Sequence, residues 1–185
     1  FNTAWYIANN HFDVNSAYLS KVGDDQLSEE MLQFMSDNRV DIKYVKKVTG
    51  STTGLYLISL VNGERTFSYW RNNSAAKLLA QSPDDLESAM KDQDIIYFSG
   101  ITLAILDTNS RENLFSGLKL ARHAGTKIAF DPNIRPKLWT DRNEMCEVIM
   151  AGANLSDIIL PSFEDEAVWF SAVSYTHLRA HETPM

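Results

Sequence analysis

Cysteine is almost absent from this chain of 185 residues, which contains only Cys146. A single thiol excludes a disulfide within the chain, and with no secretory signal in view it predicts a reducing, cytoplasmic setting. Basic charge is also scarce, because 17 lysines and arginines stand against 24 aspartates and glutamates. The net charge of −7 argues against nucleic acid and anionic membranes as partners, since both require a basic face.

Long apolar runs and phosphate-loop motifs are missing as well. No apolar stretch approaches the length of a membrane-spanning helix. No GxxxxGK[ST] phosphate loop occurs, and the spacing indicates neither a Ser-His-Asp nor a Cys-His pairing. The hydrophobic content of 44% with 22% charged residues is typical of a soluble globular domain with a sizeable core.

The first half of the chain predicts helices, short strands and a hairpin. An apolar stripe in residues 1–9 predicts a helix, and residues 27–35 predict an amphipathic helix with Ser28 as its N-cap. Strand-like stretches lie at 16–22 and 44–48. Two further strands, 55–61 and 65–70, flank Asn62-Gly63, which is a strong signal for a tight hairpin. Aromatic residues on both arms need a surface to cover, so the hairpin could serve as a lid over a pocket.

From Pro83 onward short apolar strands alternate with helices. The strands are predicted at 95–98, 127–130 and 157–160, all buried, and the helices at 84–90, 110–123 and 143–150. This alternation predicts an α/β fold with a mostly parallel sheet. Ligands of such sheets bind outside the carboxyl ends of the strands.

Two arginines are candidates for binding an anion. Arg71 follows Tyr69-Trp70 at the end of the hairpin, and a guanidinium beside aromatic rings suits a carboxylate or a phosphate. An exposed arginine after an edge strand explains the same pattern, and spacing alone favours that explanation. Arg135 lies just past the end of the predicted strand 127–130, and Asn133 lies in the same loop. Two explanations fit this position equally well: a contact with a ligand, or an Asx-type turn with a solvated arginine. Tyr56 offers a hydroxyl to a sugar, although a strand tyrosine is usually just packed.

Three segments resemble the 2-keto-3-deoxygluconate kinases, which are members of the ribokinase-like (PfkB) carbohydrate kinase family. NGERTFSYWR at 62–71, with AAK at 75–77, resembles their lid strand. FSGITLAIL at 98–106 and FDPNIRPKLW at 130–139 resemble two of their strand ends. The resemblance runs from Phe1 to about Phe170, and the three segments together are specific where no single one would be.

The resemblance implies a ribokinase-like three-layer α/β/α fold with a small β lid, ATP and Mg²⁺ as cofactors, and a sugar acid as substrate. It implies no metal ligand, because the segment 162–166 only loosely matches the family's NxxE segment. The positions that match substrate contacts are Asn2, Tyr56, Tyr69, Arg71, Ile101 and Arg135, and those near the ATP phosphates are Asn133 and Arg135.

The resemblance also predicts that the kinase domain is incomplete. Residues 1–172 are expected to form part of it, with lid strands at about 44–71 and about 15–22. The family's catalytic aspartate, in a GAGD motif, has no counterpart here, so the chain is expected to be inactive. A homo-oligomer is an option for the full-length protein. Residues 173–185 resemble a translated sequencing adapter and are expected to be an artefact; the alternative is a metal-binding tail with His177, His181 and Glu182.

Two other functions remain open. A fructokinase or ribokinase has the same fold, but a neutral sugar needs no pair of arginines such as Arg71 and Arg135. A non-catalytic module that binds a sugar acid is the second alternative, and a GAGD segment in the complete reading frame would argue against it.

Overall fold

The structure, a computed structural model, describes residues 1–11, 13–61 and 63–170. The chain divides into two compact units, Phe1–Gln81 and a second unit that begins at Ser82. In the described ranges, no helix combines the length and the apolar character that crossing a membrane requires. The predicted artefact tail lies outside the described residues.

The first unit begins with a helix and a parallel pair of strands. Helix α1 (Asn2–Asn10) precedes β1 (Ser20–Val22), α2 (Gln26–Asp37) and β2 (Val45–Lys47), and β1 pairs with β2 in parallel. The predicted cap of α2 is wrong. The carboxylate of Asp25 caps this helix by accepting a hydrogen bond from the Ser28 backbone nitrogen, while the buried Ser28 hydroxyl lies 3.2 Å from Thr53 Oγ1.

A small core joins α1 to α2. Ala8, Met35 and Val40 are buried, and Trp5 packs against them with its indole nitrogen donating to Asn38 Oδ1 at 2.9 Å. The apolar stripe of the predicted N-terminal helix therefore faces this core, as its period requires. Tyr18 lies against the same cluster, and burial raises the pKa of its hydroxyl.

The predicted hairpin is confirmed. Strands β3 (Leu55–Val61) and β4 (Glu64–Trp70) pair in antiparallel register from Leu55↔Trp70 to Val61↔Glu64, which leaves a two-residue turn. Gly63 in that turn has φ +83°, a conformation that glycine adopts without strain. The strands predicted near 15–22 and 44–48 form the separate β1–β2 sheet. A 3-10 helix, Ala75–Leu78, follows the hairpin.

The second unit confirms the parallel α/β sheet. Its elements are α3 (Pro83–Met90), β5 (Ile95–Ser99), α4 (Gly100–Ile105), α5 (Thr108–His123), β6 (Lys127–Asp131), a 3-10 helix (Pro136–Leu138), α6 (Arg142–Leu155), β7 (Ile158–Ile159) and α7 (Phe163–Trp169). The strands follow the order β5-β6-β7, and both pairs are parallel. The sequence did not predict α4, and α6 extends five residues beyond its predicted end.

Burial in this sheet is concentrated on its middle strand. Ile128, Ala129 and Phe130 of β6 are buried, whereas Ile95 of β5 and Ile158 of β7 are 52% and 42% exposed. The prediction of three buried strands is therefore wrong for β5 and β7, because these two form the edges of the described sheet. The buried faces of α5 and α6 pack on the sheet through leucine, isoleucine and methionine side chains, which keeps the carboxyl edge of β6 in a fixed place.

Candidate functional site

Two of the predicted substrate contacts meet at the base of the hairpin. The guanidinium carbon of Arg71 lies 5.8 Å from the centre of the Tyr56 ring, within range of a cation–π interaction. Tyr56 is directly opposite Tyr69 in the strand register, and the Tyr56 ring is 52% exposed. A half-buried cation beside an exposed aromatic ring can bind a carboxylate while the ring covers an apolar face of the ligand.

The backbone beside Arg71 is fixed by contacts with the segment before β3. Thr52 accepts a hydrogen bond from the Ala75 nitrogen, and Asn73 donates through its side chain to the Gly50 carbonyl at 3.1 Å. Gly54 has no side chain, and a methyl group there would lie 3.7 Å from Arg71 Cγ. The aliphatic part of the Arg71 side chain therefore lies next to Gly54, where no other side chain stands in its way.

The second group of predicted residues lies at the carboxyl edge of the parallel sheet. Ser99 and Asp131 end β5 and β6 at the same level of the register. Gly100 follows Ser99, and a methyl group on Gly100 would lie only 1.9 Å from the Pro132 carbonyl oxygen. The two loops approach each other so closely that only glycine fits at this corner.

Asn133 and Arg135 extend from the loop after β6. Asn133 has φ +34°, while the neighbouring Ile134 is 2% exposed and anchors the loop to the core. Arg135 is exposed, and its Nη1 donates to the Ile134 carbonyl at 2.9 Å. An amide and a guanidinium two residues apart at a strand end form an arrangement suited to binding an anionic ligand.

Two acidic residues at this edge have contacts that the sequence did not reveal. The Tyr97 hydroxyl donates to Asp131 Oδ2 at 3.0 Å, which fixes that carboxylate at the end of β6. Asp165 Oδ2 accepts a hydrogen bond from the Ile134 backbone nitrogen at 3.3 Å. Asp165 therefore does more than begin a helix, because it ties α7 to the loop that carries Asn133 and Arg135.

The remaining predicted residues have separate outcomes. Ile101 is half-buried in the first turn of α4, at the same sheet edge. Asn2 is exposed at the start of α1, and its contact with a substrate stays a prediction. The side chain of Tyr69 lies outside the described part of the structure. Arg71 and Arg135 belong to different units, so their convergence on one ligand stays a prediction.

The described acidic residues do not assemble a metal site. Among residues 1–11, 13–61 and 63–170, no group of three or more His, Cys, Asp or Glu side chains is placed to hold an ion. At the start of α7, Ser162 donates to Glu164 at 3.3 Å, and the Asp165 carboxylate is engaged by Ile134. These residues do not fit a Mg²⁺ site built by the chain alone, and no residue is assigned to that ion.

Comparison with known proteins identifies the class to which this fold and this sheet edge belong. The model of the pfkB family carbohydrate kinases matches residues 1–181. The chain belongs to the pfkB family of carbohydrate kinases, which confirms the family and the ribokinase-like α/β fold that the sequence segments predicted.

The chain is similar to several individual kinases. It is 38% identical over 174 residues to the 2-dehydro-3-deoxygluconokinase of Haemophilus influenzae, covering 91% of this chain and 55% of the relative. It is 32% identical to the probable fructokinase-6 of Arabidopsis thaliana, covering 85% of this chain and 40% of that protein. A sugar kinase of Pyrococcus horikoshii in complex with ATP superposes with a TM-score of 0.78 at 25% identity, covering 92% and 54% of the two chains. The chain thus spans about half the length of the relatives that it matches.

Proposed function

We propose that the full reading frame encoding this chain specifies a kinase that transfers a phosphoryl group from ATP to 2-dehydro-3-deoxy-D-gluconate, giving the 6-phosphate. The observation that carries the proposal is the Arg71 guanidinium beside the Tyr56 ring at the base of the hairpin. A sugar acid presents a carboxylate that needs a cationic partner, and a guanidinium binds it in a bidentate way. The similarity to the Haemophilus influenzae enzyme supports the same substrate.

Each candidate residue receives a role in this reaction. Arg71 binds the carboxylate of the sugar acid, and Tyr56 and Tyr69 enclose the carbon chain and offer hydroxyl groups. Ile101 forms an apolar wall at the sheet edge, and Asn2 contributes an amide to the sugar hydroxyls. Arg135 contacts both the acid and the transferred phosphoryl group, while Asn133 lies near the phosphates. Charge on that group spreads over its peripheral oxygens in the transition state, so cationic and amide donors lower the barrier.

ATP supplies the phosphoryl group, and Mg²⁺ would enter with the nucleotide phosphates, where it usually keeps several water ligands. The similarity to a sugar kinase seen in complex with ATP supports this choice of donor. The chain itself contains no GAGD segment from which an aspartate could take the proton of the attacking hydroxyl. We therefore expect the 185 residues alone to show no turnover.

A fructokinase is the second candidate, because a probable fructokinase is also a relative at 32% identity. A neutral ketose has no carboxylate, so its binding would not depend on Arg71. Dependence of sugar recognition on the guanidinium therefore separates the two functions.

The decisive experiment assays the full reading frame by ADP release on 2-dehydro-3-deoxygluconate, fructose and ribose. The sugar acid should be the preferred substrate, and Arg71→Met should lower its kcat/KM by about 30-fold, equivalent to about 2 kcal/mol of lost charge-assisted binding. The residual activity on fructose should change by less than about 2-fold, because no charge is lost from its recognition.

Arg142→Met is the matched control, since Arg142 also places its guanidinium over an aromatic ring, 5.1 Å from the centre of Trp169. It should leave kcat/KM for the sugar acid within about 2-fold of wild type. Preference for fructose, or equal losses in Arg71→Met and Arg142→Met, would overturn the proposal.

A further inference from the structure

Arg111 lies in the first turn of α5, and it is not one of the candidate contacts to the substrate or to ATP. Its side chain is 11% exposed, and its Nη2 lies 2.6 Å from Glu144 Oε1 at the start of α6. Its guanidinium carbon lies 5.5 Å from the centre of the Trp139 ring. One buried cation therefore joins α5, α6 and the end of the loop that follows β6.

The hydrogen bonds of this arginine are incomplete. Its Nε and Nη1 are buried and have no hydrogen-bond partner among the described residues. A buried donor without a partner destabilises the fold, and replacing a buried ion pair by apolar side chains of similar volume is often neutral or stabilising. Stability alone is thus a poor explanation of an arginine here, whereas a planar cation that must hold a ring and a carboxylate at fixed positions explains it.

The ring that Arg111 contacts ends the segment 131–139. The beginning of this segment is held where the Pro132 carbonyl meets Gly100, and its middle is held where Asp165 accepts from the Ile134 nitrogen. Trp139 is the third attachment point. Asn133 and Arg135 lie between these points, so their positions depend on all of them.

Arg135 is especially dependent on this support. Its guanidinium donates to the carbonyl of the preceding Ile134, and its side chain is exposed. The direction in which it extends is therefore set by the loop backbone rather than by packing of its own side chain. Small displacements of such a group are costly in catalysis, because a misplacement of about 1 Å lowers a rate by up to about 100-fold.

We propose that Arg111 is a positioning residue, which holds Trp139 and Glu144 so that the loop presents Asn133 and Arg135 to the ligand. This inference rests on the proposed function for its kinetic part only. Its structural part, the support of residues 131–139 by Arg111, holds whatever the substrate is.

The test compares Arg111→Met with Arg122→Met in the full reading frame. Arg122 is the matched control, because it lies on the same helix and also pairs with a carboxylate, Asp157, at 3.0 Å. Arg111→Met should raise KM for the sugar acid about 10-fold and lower kcat several-fold, while Arg122→Met should leave both within about 2-fold. Arg111→Lys keeps the charge but not the planar fork, so it should restore only part of the loss.

A double-mutant cycle shows whether Arg111 acts through Arg135. Arg111→Met added to Arg135→Met should cost clearly less in kcat/KM than Arg111→Met in the wild-type background, because one of the two groups that it positions is already gone. Full additivity of the two losses would show that Arg111 acts elsewhere and would overturn the proposal.

Hydrogen exchange provides a readout that needs no activity. The amides of Ile134, Leu138 and Trp139 are hydrogen-bonded within the loop and to Asp165. Exchange of a peptide covering 131–139 should become at least about 5-fold faster in Arg111→Met and stay unchanged in Arg122→Met. Unchanged exchange in both variants refutes the proposal. Faster exchange in an enzyme that phosphorylates no sugar acid refutes the proposed function alone. If Arg111→Met does not fold, Glu144→Gln is used in its place. It should change KM, kcat and the exchange rate of 131–139 in the same directions, by smaller factors.

Discussion

Four successive hairpin side chains, Leu55 to Ile58, are each about half exposed, whereas Phe130, Pro132 and Ile134 around the end of β6 are all buried. The two candidate regions therefore position their arginines by different means. The hairpin presents Arg71 on a framework of local hydrogen bonds, with both faces of β3 in contact with water between Leu55 and Ile58. The sheet edge presents Arg135 on a loop whose backbone is fixed by the core of the second unit.

This difference predicts where each region tolerates change. In the hairpin, replacing a side chain removes exposed surface and few packing contacts, so the effect should stay local. At the sheet edge, removal of a buried anchor should move the whole loop, because close-packed interiors transmit small displacements. An exposed apolar hairpin also predicts poor solubility of the 185 residues by themselves.

The largest effect is expected for Gly100→Ala. The added methyl group would lie 1.9 Å from the Pro132 carbonyl oxygen and 2.7 Å from Ile149 Cδ1, so backbone must move at a cost of about 3 kcal/mol or more. Gly54→Ala in the first unit is the counterpart, since its methyl group meets a side-chain atom, Ser74 Oγ, at 3.2 Å, and should cost less than about 1 kcal/mol. Thermal melts of both variants measure the difference. Equal melting temperatures would show that the corner at Gly100 is not tightly packed.

The next largest effect is expected for Ile134→Ala. Its side chain is 2% exposed, so truncation should destabilise the second unit by about 2–4 kcal/mol. Ile58→Ala in the hairpin, where the side chain is 47% exposed, is the matched change and should cost less than about 1 kcal/mol. Urea unfolding followed by circular dichroism compares the two. If Ile58→Ala lowered the free energy of unfolding more than Ile134→Ala, the hairpin and not the sheet edge would be the region that depends on buried side chains.

The hairpin and the sheet edge also differ in how far the sequence determines them. Asn62-Gly63 fixes a two-residue turn by local backbone preference, and the register that places Tyr56 opposite Tyr69 follows from it. The parallel sheet was predictable from the alternation of strands and helices. Nothing local indicates that Asp165 holds Ile134, or that Arg111 meets Glu144, because these partners are 31 and 33 residues apart.

Helix ends show the same limit. The helical pattern weakens after Met150, yet α6 continues to Leu155 through Gly152. A methyl group on Gly152 would lie 3.0 Å from the Phe130 ring, so glycine is retained inside the helix for a packing reason. Asp25 rather than Ser28 caps α2 because the helix begins at Gln26, so that Ser28 already lies inside its first turn.

A smaller effect is expected for Asp157, which links β6 to β7. Its carboxylate accepts from the Ile128 nitrogen at 2.9 Å and from Arg122 Nε at 3.1 Å, and these contacts, the backbone one first, lower its pKa below the ordinary value of 3.8. The ionised form is thus favoured by folding. Its stabilisation is fully present above the ordinary pKa and is lost as the pH falls through the lower pKa of the folded state.

Asp157→Asn should therefore cost about 1–2 kcal/mol at pH 7, and the difference from wild type should narrow as the pH falls below about 4. Asp13→Asn, at an exposed position of the first unit, is the control and should leave the stability at pH 7 unchanged. Unfolding free energies measured from pH 7 to pH 3 check both variants. If the difference in unfolding free energy between Asp157→Asn and wild type grew as the pH falls, the ionised carboxylate would not be the stabilising form, and the prediction would be wrong.

A crystal structure of the full reading frame with bound 2-dehydro-3-deoxygluconate would show directly whether the hairpin and the sheet edge serve one ligand. We predict that guanidinium nitrogens of Arg71 and Arg135 both lie within about 3 Å of the ligand carboxylate. A carboxylate that meets neither arginine, or a ligand bound in one unit alone, would contradict a sugar-acid kinase built on these two residues.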